Sequence, residues 1–297
     1  MPNYNFLKGT GVALITPFNQ DKSVDFKGLE KLINHCIEGG VNYLVTMGTT
    51  GESVTLTKKE KQEVIQFTIK ICNARVPVII GIGGNNTQEL IEEIESQDFT
   101  GISAILSSSP AYNKPSQEGI FQHYMALEKV SPLPIIIYNV PGRTASNITA
   151  ETTLRLAWAS TKFAAVKEAS GDLSQATKIL KDRPDHFIVL SGDDPLALAL
   201  MGIDGDGVIS VIANIYPREF SQIISYALQG DWEKAQYLNL ALFDMHKWLY
   251  IEGNPVGVKS AAQALGICQK YVRLPLVELS EVNNQKMIEE MKKLREL

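Results

Sequence analysis

Cysteine is scarce in this chain, with three in 297 residues, too few and too widely spaced for a disulfide framework or a thiolate metal site. Cys36, Cys72 and Cys268 each sit in an apolar helical pattern and read as buried, reduced thiols. Histidine is nearly as rare. His35, His123, His186 and His246 make no ligand spacing such as HExxH, so no metal is expected. An excess of basic residues is also missing: 28 Lys and Arg against 33 Asp and Glu leave a net charge of −5. That balance offers no field for nucleic acid or anionic lipid. No run reaches the roughly 18 apolar residues of a membrane span. The opening Met1-Pro2-Asn3-Tyr4-Asn5 lacks the basic and apolar regions of a signal peptide, so the expected setting is cytoplasmic.

What is present is an alternation. β-rich apolar runs at 12–16, 43–47, 78–81, 103–107, 135–138, 163–167, 187–191 and 207–210 are separated by helical patterns. Eight strands at a mean spacing of roughly 28 residues fit the repeat of a (β/α)₈ TIM barrel. Alternation also suits an open, doubly wound sheet, but the count favours closure. Phe26, Leu29, Leu32, Ile33, Cys36 and Ile37 form one helical stripe, opened by Asp25 and closed by Gly39-Gly40. Thr57-Lys58-Lys59-Glu60 reads as a capping box. A helix at 217–228, stopped by Gly230, completes the barrel. Beyond it, helical patterns at 231–252, 255–265 and 279–297 follow with no strand between them. The expected division is a barrel over 1–230 and a helical C-terminal domain over 231–297.

In such a barrel the chemistry gathers at the C-terminal ends of the strands. Lys167 ends the apolar run 163–166, where an ammonium is costly to desolvate. A lysine that gives up its proton there can attack a ketone and form a Schiff base. Strand 2 runs into Gly48-Thr49-Thr50-Gly51-Glu52-Ser53, whose amides and hydroxyls suit a carboxylate. Strand 5 ends in Tyr138-Asn139-Val140-Pro141-Gly142-Arg143-Thr144, a phenol followed by a guanidinium fork. Each has a plain structural alternative: a snorkelling lysine, a capped turn, a core tyrosine, a solvated arginine. Their convergence on one mouth favours a site.

These motifs resemble the signatures of the dihydrodipicolinate synthase and N-acetylneuraminate lyase superfamily. The likeness extends over nearly the whole chain, through Gly11-Val12-Ala13-Leu14-Ile15-Thr16-Pro17-Phe18, Lys167-Glu168-Ala169-Ser170-Gly171-Asp172, Ser191-Gly192-Asp193-Asp194 and Asn254-Pro255. The resemblance implies that Lys167 forms an imine with pyruvate and that its enamine adds to L-aspartate 4-semialdehyde. It implies a proton relay through Tyr138, Thr49 and Tyr112, the last reaching into a neighbouring subunit. Thr49 and Thr50 would hold the carboxylate of pyruvate, and Arg143 that of the semialdehyde. The backbone carbonyl of Ile209 would face the lysine, with Gly192 beside the substrate. No metal or organic cofactor is implied, because the imine is the electron sink. The implied assembly is a homotetramer built as a dimer of dimers.

Three competing readings remain at this level. A lyase for sialic acid or a 2-keto-3-deoxy sugar acid would share Lys167, Tyr138 and the threonine loop, but Arg143 suits a short acidic aldehyde better than a polyol. A non-catalytic sensor on the same fold would have no need of the intact lysine, tyrosine and threonines. A phosphosugar barrel is disfavoured by Asp193 and Asp194, which stand where a phosphate would need cations or bare amides. Members of the family inhibited by lysine bind it at the dimer interface, and Ser53, Asn85 and Glu89 keep part of that site. Lys61 replaces a histidine there and Ala111 an aromatic residue, so weak or absent inhibition is expected.

Overall fold

Strands joined by helical crossovers can pair only in parallel. In the computed structural model, which describes residues 2–294, β1 (Gly9–Ala13), β2 (Tyr43–Thr46), β3 (Val78–Gly81), β4 (Ala104–Ser108), β5 (Ile135–Asn139), β6 (Phe163–Glu168), β7 (Ile188–Ser191) and β8 (Gly207–Ser210) pair in sequence order. β8 pairs with β1 and closes the barrel. Around it run α1 (Phe26–Glu38), α2 (Lys58–Cys72), α3 (Thr87–Ser96), α4 (Gln117–Val130), the short α5 (Pro141–Thr144), α6 (Ala150–Ala159), α7 (Leu173–Asp182), the short α8 (Ala197–Met201) and α9 (Pro217–Gln229). Then α10 (Trp232–Tyr250), α11 (Val256–Ala264) and α12 (Glu281–Leu294) follow with no strand between them. The expected helical segment 279–297 extends into 295–297, which lie outside the described residues.

Local chemistry sets the helix ends. The Asp25 carboxylate accepts the Gly28 N–H at 2.9 Å, a cap worth about 1 kcal/mol. Thr57 and Glu60 close the expected capping box, each side chain bonding the other's backbone N–H. Gly230 ends α9 in the left-handed conformation. Leu29, Leu32 and Ile33 of α1 are fully buried, each contributing roughly 1.5–3 kcal/mol. All three cysteines are buried and unpaired. No helix of the described residues is long and apolar enough to cross a membrane.

One strand lies earlier than its apolar run implied. The expectation was 12–16, yet the ladder covers Gly9–Ala13. Gly11 hides the strand from a pattern search but is required by packing: a Cβ there would lie 2.0 Å from the Tyr43 ring. Leu14 to Thr16 instead continue toward the mouth, with the Ile15 N–H bonded to the Asn214 side chain.

The core has two shells. Ile79, Ala104, Leu106, Ile136, Leu190 and Ile209 belong to the lumen cluster, whereas Ile105, Ile135, Ile137, Val189 and Val208 pack outward against the helices. β6 breaks this alternation. Phe163 and Val166 face out, while Ala164 and Ala165 both face in, at a shift in the β5–β6 register. That extra residue turns Lys167 toward the lumen side.

His123 on α4 is buried, its Nδ1 2.8 Å from the Thr87 hydroxyl. Burial lowers its pKa from the ordinary 6.5 to about 4. Between those values the unfolded chain binds the proton and the folded one does not, so stability is full above pH 6.5 and falls toward pH 4. His123→Gln should therefore lose less thermal stability than the parent between pH 7 and pH 5. Equal losses would remove His123 from the account.

Candidate active site

Tyr138 on β5 and Lys167 on β6 are direct register partners, so both side chains leave the sheet on the same side. The Lys167 ammonium lies 4.4 Å from the centroid of the Tyr138 ring. Lys167 is only 5% exposed and, among the described residues, its side-chain amine has neither an ion pair nor a hydrogen bond. A buried cation with no carboxylate partner is costly unless it is kept for use. It opens into a cavity of about 800 Å³ lined also by Thr50, Arg143, Gly192, Asp193, Tyr250 and Asn254.

Gly192 makes room for the lysine stem. A Cβ at this position would stand 2.6 Å from the Ala169 Cβ and 3.0 Å from the Lys167 Cε. Gly192→Ala should displace the amine and slow borohydride-dependent trapping of pyruvate by roughly 10- to 100-fold, the scale of an ångström misplacement. Trapping at the parent rate would refute this packing role.

The strand ends are held from behind. Asn139 and Glu168, adjacent in sequence to Tyr138 and Lys167, point outward. The buried Glu168 carboxylate accepts from the Asn139 side chain at 3.0 Å, from the Ser170 N–H at 2.7 Å and from Gln175 at 2.8 Å. These charge-assisted bonds keep the two strand tips in register. Arg143 is carried by α5, a turn of helix begun by Pro141, and reaches the cavity rim exposed and, among the described residues, unpaired.

The other expected residues fall in three places. Thr49 is exposed and shares a side cavity of about 150 Å³ with Tyr138, Ser53 and Lys61, so Tyr138 stands between the two cavities. Tyr112 is 90% exposed, on a loop with φ +68°, its N–H bonded to the Thr144 carbonyl. Among the described residues, no hydrogen bond joins the hydroxyls of Tyr138, Thr49 and Tyr112 within one chain. Ile209 lies in the lumen cluster beneath the mouth rather than on the cavity wall. Lys61 and Glu89 border a groove between α2 and α3, while the Asn85 side chain accepts the Ala111 N–H at 2.8 Å.

Sequence reasoning missed one whole wall. Phe243, Asp244, His246, Lys247 and Tyr250 of α10 line the cavity opposite the barrel, and the Asn254 amide donates to the Thr50 hydroxyl at 2.9 Å. Their spacing of three and four residues is a helix-face signal, but nothing local ties that face to the barrel mouth. Burial and the neighbouring Asp194 push the Asp193 carboxyl upward, and burial lowers the His246 imidazole. No cluster of three or more metal-ligating side chains occurs among the described residues.

An eight-stranded parallel barrel with a buried lysine at its mouth is the architecture of an aldolase-type lyase. The chain belongs to the dihydrodipicolinate synthetase family, whose sequence model matches residues 6–294. It is 46% identical over 288 residues to the 4-hydroxy-tetrahydrodipicolinate synthase of Parabacteroides distasonis, covering 97% of each chain. Among solved structures, the dihydrodipicolinate synthase of Aquifex aeolicus is 40% identical and superposes with a TM-score of 0.94, over 97% of this chain and 98% of that one. The chloride-inhibited enzyme of Acinetobacter baumannii complexed with pyruvate is 38% identical, with a TM-score of 0.94 over 98% of this chain and all of that one.

Proposed function

We propose that this protein is a 4-hydroxy-tetrahydrodipicolinate synthase, condensing pyruvate with L-aspartate 4-semialdehyde in the route to diaminopimelate and lysine. The observation that carries this reading is the unpaired Lys167 beneath the Tyr138 ring, sharing one cavity with Arg143. The Lys167 amine attacks C2 of pyruvate, and loss of water leaves an imine. Loss of a C3 proton gives the enamine, whose C3 bonds to the aldehyde carbon while the aldehyde oxygen takes up a proton. The amine of the bound semialdehyde then attacks the imine carbon, closing the ring and releasing Lys167. Thr49, Thr50 and their amides hold the carboxylate of pyruvate, and Arg143 holds that of the semialdehyde. Gly192 and Ile209 shape the ground beside and beneath the lysine. The chemistry requires no metal or organic cofactor, because the protonated imine accepts the electron pair.

Tyr138, Thr49 and Tyr112 relay protons, each hydroxyl able both to donate and to accept. A Tyr112 that is 90% exposed and, among the described residues, makes no hydrogen bond to its own Tyr138 supports completion of this relay by a second copy of the chain. The proposed assembly is a tetramer of two tight dimers, in the cytoplasm, with residues 1–230 as barrel domain and 231–297 as helical domain. A coupled assay with pyruvate and aspartate semialdehyde, run beside cleavage of N-acetylneuraminate, tests the reaction. Turnover in the first and none in the second is expected. The reverse would establish the lyase.

Feedback by lysine should be weak or absent. Lys61 adds like-charge repulsion toward a lysine ligand, and Ala111 removes an aromatic wall and a cation–π contact of roughly 0.5–2 kcal/mol. Ser53, Asn85 and Glu89 are the polar groups left to offset this. Strong, saturable inhibition by millimolar L-lysine would refute the expectation.

A further inference from the structure

Lys259 on α11 is fully buried, yet it lies in sequence far from every residue assigned to the chemistry. Its ammonium bonds the Glu52 carboxylate at 2.5 Å and the Tyr271 carbonyl at 2.9 Å, and lies 4.0 Å from the centroid of the Phe18 ring. The second Glu52 oxygen accepts the Arg273 N–H at 3.0 Å. A buried pair of this kind is a poor source of stability, since well-packed apolar residues commonly serve as well. What it does supply is direction. Glu52 has φ +51°, a left-handed conformation that a residue other than glycine holds only when its surroundings over-determine it.

That strained residue ends the threonine turn. The Glu52 N–H bonds the Thr49 carbonyl, the Gly51 N–H bonds the Gly48 carbonyl, and the Thr16 hydroxyl holds the Gly51 carbonyl. A shift of Glu52 is therefore passed directly to Thr49 and Thr50. Asn254, at the start of the same C-terminal segment, grips the other side through the Thr50 hydroxyl at 2.9 Å. Two links thus run from the C-terminal helices to one four-residue turn.

We infer that Lys259 and Asn254 are positioning residues for pyruvate, holding the Thr49–Glu52 turn through Glu52 and Thr50 in the shape that receives the substrate's carboxylate. The inference rests on the proposed role of that turn in the pyruvate site. It makes the C-terminal helices part of the first substrate's binding machinery, although they contribute no nucleophile.

The test measures half-saturation by pyruvate in the full-length protein, by turnover and independently by borohydride trapping without the second substrate. Lys259→Met, Asn254→Ala and the double variant Glu52→Gln/Lys259→Met should each raise it roughly tenfold, with smaller changes in kcat and in the semialdehyde KM. The double variant carries no orphaned buried charge, so its thermal midpoint should return toward the parent value while the pyruvate defect persists. A merely structural pair would instead recover both together, which would overturn the inference. Should Lys259→Met fail to fold, the double variant and Asn254→Ala decide the matter, and half-saturation near the parent value in both would overturn it. Thr50→Ala separates the two layers. If it leaves pyruvate half-saturation unchanged, the carboxylate role of the turn fails, and this inference with it. If it raises half-saturation while the C-terminal variants do not, only the inference fails.

Discussion

Borohydride reduction in the presence of pyruvate should attach one reduced three-carbon acid to Lys167, located by peptide mapping. The expectation follows from geometry. Lys167 is buried at a strand tip, faces a cavity of about 800 Å³ and makes no ion pair among the described residues. Lys259 is the instructive contrast, because it is equally buried but engaged by Glu52 and the Tyr271 carbonyl. Burial lowers the Lys259 pKa to about 8 against the pull of Glu52, so a favourable pKa by itself does not make a lysine available. Lys167→Ala should abolish trapping and cut kcat by at least about 10⁴-fold, the scale seen when a covalent nucleophile is removed. A pyruvate adduct on Lys8, Lys114 or Lys259 in the parent protein would sink the assignment.

Arg143→Ala should separate the two substrates. The guanidinium stands exposed at the rim on α5, and in the proposed mechanism it takes no part in forming the imine. Its proposed role is to meet the carboxylate of the incoming aldehyde with two hydrogen bonds. Losing a charge-assisted pair costs about 1.5–3 kcal/mol. That corresponds to roughly 10- to 150-fold in kcat/KM for aspartate semialdehyde. Pyruvate trapping should persist at the parent level. Arg143→Lys should recover only part of the loss, because an ammonium keeps the charge without the planar fork. If Arg143→Ala lost pyruvate trapping and kept the semialdehyde KM, the two roles would have to be exchanged.

Much of the barrel was legible because its signals are local. The apolar stripe of α1 with its Asp25 cap, the Thr57–Glu60 box and the Gly230 stop each depend on residues within a few positions of one another. Strand boundaries erred where packing overrode pattern, as in β1, whose Gly11 answers to the Tyr43 ring. The short helix Pro141–Thr144 was not foreseen, and it is what lifts Arg143 to the rim. Of the expected site residues, Lys167, Tyr138, Thr50, Arg143 and Gly192 line one cavity. Thr49 lies in the adjoining one, and Tyr112 and Ile209 stand apart within a single chain.

Sequence alone determined the alternation of strand and helix, the parallel pairing it requires, the count of eight that favours closure, and the strand ends at which lysine, tyrosine, threonine and arginine stand. It did so because periodicity, caps and turn residues act over a few positions. Tertiary structure decided where those side chains point and what they meet. Strict alternation from the outward-facing Phe163 would have turned Lys167 toward the helices, and the extra lumen-facing residue at Ala164–Ala165 reverses that. The space for the lysine stem comes from Gly192 on the next strand loop, and the far cavity wall from α10. The shape of the threonine turn depends on Asn254 and Lys259, about two hundred residues away in the chain. Such contacts exist only once the barrel has closed and the last helices have packed against it, so no local pattern records them.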